Sequence, residues 1–136
     1  VLIARPKASR QRIVTNCLLG DAVGDPVRVT GPEIGGLWQV TKVAITAYSQ
    51  IPAIGIIVAK INPTTAIVQV QGEVKGVYTG LTPGRVYYLD IASAPTLTPP
   101  TPTIGNPRVY IHQIGIAVDT DAMLLKIDPH LSVRVL

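Results

Sequence analysis

Cys17, His112 and a short run of acids are the residues of this chain whose types could do chemistry, and their surroundings decide which chemistry is open to them. Cys17 is the one cysteine. A thiolate nucleophile needs a helix N-terminus or a basic partner, whereas Cys17 stands between Asn16 and Leu18 in a strand-like run. That setting predicts a small buried core residue. A single thiol forms no internal disulfide, which fits folding in an intracellular compartment. His112 lies within Tyr110-Ile-His-Gln-Ile114, where a period of two puts it on one strand face with Arg108, Tyr110 and Ile114. This predicts an imidazole hydrogen-bonded at a sheet surface or interface, not a general base. Asp119, Asp121, Asp128 and His130 are the acid and imidazole groups closest together in sequence. The turn Asp119-Thr-Asp121 lacks the further oxygen ligands and the spacing of a calcium loop, so no metal site is expected. The glycines of Gly31-Pro-Glu-Ile-Gly-Gly36 match neither a phosphate loop nor a dinucleotide fingerprint, and no helix follows them. No catalytic set and no cofactor are expected.

Charge points to binding instead. The net charge is +4, and its location matters more than its size. Arg5, Lys7, Arg10 and Arg12 fall in the first dozen residues with no acid among them, while residues 13–136 carry equal numbers of basic and acidic side chains. The excess therefore sits on an N-terminal arm beside a neutral body. Pro6 and the absence of a sustained period favour an extended arm over residues 1–12. Such an arm can grip an acidic groove on a larger assembly, by charge or by adding a strand to an exposed edge. Nucleic-acid binding would need a basic face interleaved with aromatics. Trp38, Tyr48, Tyr78, Tyr87, Tyr88 and Tyr110 are scattered over a neutral body, so nucleic acid is not the expected partner. Tyr87 and Tyr88 are adjacent in one strand and must face opposite sides, one inward and one outward. Trp38, Tyr87, Tyr88 and Tyr110 are the aromatics expected at a subunit interface, where amphipathic rings are favoured.

The elements that must position these residues are strands. Hydrophobic residues make up 47% of the chain and charged residues 15%, below the usual quarter. A surface so short of charge is either covered by partner subunits or padded with Thr, Gln, Pro and Gly. The apolar content is β-branched and aliphatic, with no Phe. The longest apolar run, Ile54-Gly-Ile-Ile-Val-Ala59, is too short to span a bilayer as a helix. Val1-Leu-Ile-Ala4 is too short for the apolar region of a signal peptide, and basic residues follow it instead of preceding it.

Taken in order, strands are expected over 13–19, 26–30, 37–47, 54–61, 65–71, 74–78, 85–91, 108–118 and 122–127, with Gly and Pro turns between them. Gly31-Pro32 should end the second. The strand over 37–47 has two mixed faces, which predicts either a bulge or one face against a neighbouring subunit. The run 54–61 reads as a central strand. Thr82-Pro83-Gly84 is a tight turn. Pro95, Pro99, Pro100, Pro102 and Pro107 make 93–107 an extended Pro/Thr-rich loop. Residues 129–136 form a tail or edge strand. Eight or nine short strands without a helical segment predict one all-β domain over 13–128, a compact antiparallel barrel or sandwich.

Ile51-Pro-Ala-Ile-Gly-Ile-Ile-Val58, Gly80-Leu-Thr-Pro-Gly-Arg-Val-Tyr-Tyr-Leu89, the Thr/Pro loop, Ile114-Gly-Ile-Ala-Val118 and Met123-Leu-Leu125 together resemble bacteriophage virion structural proteins. Capsid decoration (cement) proteins and head or tail fibre modules carry a similar series of strand, Thr/Pro loop and strand, and the resemblance covers residues 51–127. It implies a homotrimer on the outer surface of a capsid, assembled in the host cytoplasm, that binds the major capsid protein through Arg5, Lys7, Arg10 and Arg12 and stabilises the shell against internal pressure. The same resemblance also admits a fibre or tail-tip module that binds host glycans through exposed tyrosines. Neither role involves an enzyme activity, a membrane or a cofactor.

Overall fold

Two apolar cores organise the chain, and one short connector belongs to both. The computed structural model describes residues 11–128 and 131–136. Strands β1 (Gln11–Asn16), β2 (Pro26–Ile34), β3 (Leu37–Lys42), β4 (Gly55–Asn62) and β5 (Thr65–Gln71) close into a barrel in the order β1-β3-β2-β4-β5. Directions cannot alternate all round a ring of five. One neighbouring pair must run parallel, and β1 with β3 is that pair, with Thr15 opposite Trp38. The barrel core is Cys17, Val27, Val40, Ile57, Ala66 and Val68, supplied by inward-facing residues of β2 to β5 and by Cys17 just past β1.

A second sheet follows in sequence. It contains β6 (Glu73–Lys75), β7 (Val86–Leu89), β8 (Pro95–Thr96), β10 (Gln113–Asp119) and β11 (Ala122–Leu125) in the order β6-β11-β10-β7-β8. β9 (Arg108–Ile111) and β12 (Ser132–Val135) pair as a separate two-stranded ribbon. The second core holds Leu81, Tyr87, Leu89, Val109, Ile114, Ala117 and Met123, joined by Val43, Ile45, Ile51 and Ala53. Ile56, Val74 and Leu125 fill the seam between barrel and sheet. Each fully buried aliphatic side chain contributes about 1.5–3 kcal/mol relative to leaving it in water.

The connector, residues 43–54, leaves the barrel after β3, crosses the second core and returns as β4. It explains the mixed faces of 37–47. The strand ends at Lys42, so Val40 enters the barrel while Val43 and Ile45 enter the other core. Three hydrogen bonds tie the connector to the sheet side: Ser93 Oγ donates to the Val43 carbonyl at 2.6 Å, the Tyr110 N–H to the Ile45 carbonyl at 2.8 Å, and the Ala53 N–H to His112 Nε2 at 2.9 Å. Ser93 has a φ of 59°, a left-handed conformation uncommon outside glycine. The connector also contains a 3-10 turn at Tyr48–Gln50 and a cis Ile51–Pro52 bond.

The all-β class is as the composition requires, and several boundaries move. β2 runs through Gly31-Pro32 with shifts of register at Gly31 and reaches Ile34, because its outer end is a projecting hairpin edge where proline's missing donor is harmless. Gly35 and Gly36, both at positive φ (61° and 77°), make the two-residue turn into β3. Gly84, at φ 83°, completes the turn at Thr82-Pro83, with the Arg85 N–H reaching the Thr82 carbonyl. The proline loop is not wholly outside the sheets: Pro95–Thr96 pairs with β7 as an edge. The expected strand over 108–118 is broken at His112 into β9 and β10, which join different sheets. The tail does supply an edge strand, β12.

Candidate interaction surface

Arg12 is the one arm cation among the described residues; Arg5, Lys7 and Arg10 lie outside them. The arm boundary shifts accordingly, since Gln11 and Arg12 already belong to β1. Arg12 is paired with Gln69 on β5, and its Nε donates to Gln69 Oε1 at 3.2 Å. Gln69 is fully buried. Its Nε2 donates to the carbonyls of Gln71 and Glu73, at 3.0 and 2.7 Å. One amide therefore fastens the root of the arm, the end of β5 and the start of β6 together. Burying it is favourable only because both ends of the amide are used.

The aromatics expected at an interface divide. Tyr87 points inward, is buried in the second core, and its hydroxyl accepts the Thr82 N–H at 2.8 Å. It cannot line an outer surface. Tyr88 faces the other way and is half-buried. Trp38 stands on the barrel hairpin, 41% exposed, with its Nε1 donating to Glu33 Oε1 at 3.0 Å. Ile34, at the turn of that hairpin, is 63% exposed. Tyr110 packs against the second core on one side, and its ring lies 6.0 Å from that of Tyr48 at a tilt of 54°. Tyr48 itself is 73% exposed, so an aromatic pair stands at the surface of the connector. Along the sequence Tyr48 is one of several scattered rings. Only the fold brings it to Tyr110, and no local signal marks the pair.

The groups that first suggested chemistry are built into the structure. Cys17 is a buried barrel residue just past the end of β1, and burial pushes its thiol pKa up, away from thiolate reactivity. Nearby, the Asp21 carboxylate accepts from the Leu18 N–H, the Thr41 hydroxyl and the Lys42 N–H. Lys60 Nζ donates to the carbonyls of Asp21 and Pro63, at 2.6 and 2.8 Å. These bonds close one end of the barrel, and each acceptor oxygen is committed to that task. Asp25 Oδ2 accepts the Ala22 N–H, while Oδ1 lies 3.5 Å from Lys42 Nζ. At the β10–β11 turn, Asp119 Oδ1 accepts the Thr120 N–H at 2.7 Å, so the turn caps itself.

His112 is not at a sheet surface. It is fully buried, because the strand breaks there and turns the imidazole under the connector. No pocket opens among the described residues, and none of their His, Cys, Asp and Glu side chains group as a metal site. No helix among them is long and apolar enough to cross a membrane. No known family, curated protein or solved structure gives a significant match to this chain.

Proposed function

We propose that this protein is a decoration protein of a bacteriophage capsid, which docks on the major capsid protein and holds the outer shell against internal pressure. The observation that carries the reading is the separation of charge: a neutral β body with all of its basic excess on residues 1–12, whose root is bolted to a buried amide through Arg12 and Gln69. A tether that transmits load needs such an anchor. Arg5, Lys7 and Arg10 then supply charge complementarity to an acidic groove between capsid subunits. The resemblance of residues 51–127 to particle proteins supports the same assignment, with a trimer as the docking unit.

Deletion of residues 1–10 tests it. The shortened protein should keep the circular dichroism of the folded body and lose co-sedimentation with capsids, while undiminished co-sedimentation overturns the proposal. Sedimentation velocity of the full chain reads the trimer directly.

A second reading has its own support in the exposed Tyr48, whose ring lies beside that of the half-buried Tyr110. Adjacent tyrosines present apolar faces with polar tips, a surface suited to sugar rings, as a fibre or tail-tip module would require. A glycan array separates the two readings: binding that survives removal of the arm and disappears in Tyr48→Ala favours the fibre.

A further inference from the structure

We propose that His112 is an acid-operated latch, which holds the connector on the second sheet when neutral and releases it when protonated at Nε2. The geometry fixes the resting state. The Ala53 N–H can only donate, so the nitrogen it reaches at 2.9 Å must be bare, and the proton of the neutral ring sits on Nδ1. Nδ1 is itself buried without a hydrogen-bond partner, and the adjacent Gln113 backbone favours the protonated ring. A proton arriving at Nε2 occupies the position to which the Ala53 N–H now points. Two donors then face each other. The bond is lost, and a cation is left fully buried.

The connector is vulnerable at this point. Of its three ties to the sheet side, those of Val43 and Ile45 use a hydroxyl and a backbone amide that do not titrate near neutrality. The Ala53 tie does. The ionisable groups on the elements around the imidazole are Tyr48 on the connector, Tyr87 and Tyr88 on β7 with Asp90 just after it, Arg108 and Tyr110 on β9, Asp119 on β10, and Lys126 with Asp128 after β11. Among these, Asp128 is the one whose charge acts on His112, and it favours the cation. Burial acts the other way and is the larger effect, so the pKa of His112 lies below the ordinary imidazole value. For a base held neutral by the fold, the tie is at full strength above about pH 6.5 and weakens as the pH falls towards the folded value. The latch thus stays shut at neutral pH and opens only in acid. Its release frees Ile51 and Ala53 from the second core, while the barrel, whose core contains no histidine, stays closed.

The experiment is an NMR titration of the full chain from about pH 7.5 to about pH 4.5, following the imidazole nitrogens and amide exchange corrected for its intrinsic pH dependence. His112 should begin with Nε2 unprotonated and take up a proton below its ordinary range. Exchange at the Ala53 amide should rise at least about tenfold with the same midpoint, and the Ile57 and Val68 amides should keep their protection. A ring that stays neutral throughout, an Ala53 amide equally protected at both ends, or Ala53 and Val68 opening together would each overturn the proposal. His112→Gln keeps an acceptor for Ala53 without a titrating group and should abolish the pH response; the wild-type response persisting in H112Q also overturns it.

Discussion

Arg12 and Gln69 meet at the place where the barrel, the second sheet and the N-terminal arm converge, joined by a 3.2 Å hydrogen bond from guanidinium Nε to amide Oε1. The two partners are unequal. Arg12 is exposed and can be solvated when released, whereas Gln69 also satisfies the carbonyls of Gln71 and Glu73 from a fully buried position. Gln69→Leu should therefore cost about 2–4 kcal/mol, since it removes the bonds to the Gln71 and Glu73 carbonyls and to Arg12 at once, and Arg12→Ala about 1 kcal/mol or less. Urea denaturation of the two variants measures the difference. Equal costs would mean that the amide is not the organising partner.

Two glycines are required by close approach. A Cβ on Gly55 would collide with the Gln69 carbonyl and come within 2.8 Å of Val68 Cγ1; one on Gly115 would lie 2.5 Å from the Leu124 carbonyl and 2.7 Å from Met123 Cγ. The backbone oxygens cannot move without breaking β4–β5 or β10–β11 pairing. Gly55→Ala and Gly115→Ala should each destabilise by about 3 kcal/mol or more. Gly105→Ala, where nothing lies within 4 Å, serves as the control and should shift the thermal midpoint little.

Other glycines were legible from the sequence. Gly35-Gly36 and Thr82-Pro83-Gly84 announce their turns, because the backbone conformation a turn needs is a local property. The apolar run around Ile56 and Ile57 announces burial on both faces, and Ile57 does enter the barrel core while Ile56 fills the seam beside it. What local pattern cannot carry is the assignment of a strand to a sheet. Val40 and Val43 lie in one continuous run, yet they serve separate cores because the chain leaves the barrel after Lys42. His112 looks like one more position in an alternating strand; its burial follows from contact with Ala53, far away in sequence. The charge asymmetry of the arm was open to reading, whereas its anchor, a glutamine on β5, was not.

Tyr78 gives a test at the alkaline end. Its hydroxyl donates to the Gly24 carbonyl at 2.7 Å, and burial, then the charge of Asp25, raises its pKa well above the tyrosine range. A raised pKa means that the fold prefers the phenol. The stabilisation is complete below the unfolded value of about 10 and is lost as pH rises towards the folded one. Ultraviolet titration should show Tyr78 ionising last, together with loss of structure. Tyr78→Phe should remove that final step and cost about 1 kcal/mol at neutral pH. Retention of the late step in Y78F would assign it to another tyrosine.

Cys17 provides a probe of barrel opening. The residue is 6% exposed, packed beside Val27, Val40 and Ile57, and its thiol pKa is raised by burial. Both effects slow attack on a thiol-specific reagent, because the reagent needs access and a thiolate. Modification of the native protein should run at least about a hundredfold slower than in denaturant, at a rate set by transient opening of the barrel. That rate has a further use. If the second sheet loosens in acid while the barrel stays shut, Cys17 remains slow at a pH where the Ala53 amide has already become fast, after correction for thiol ionisation. If the whole domain opens at once, thiol and amide accelerate together.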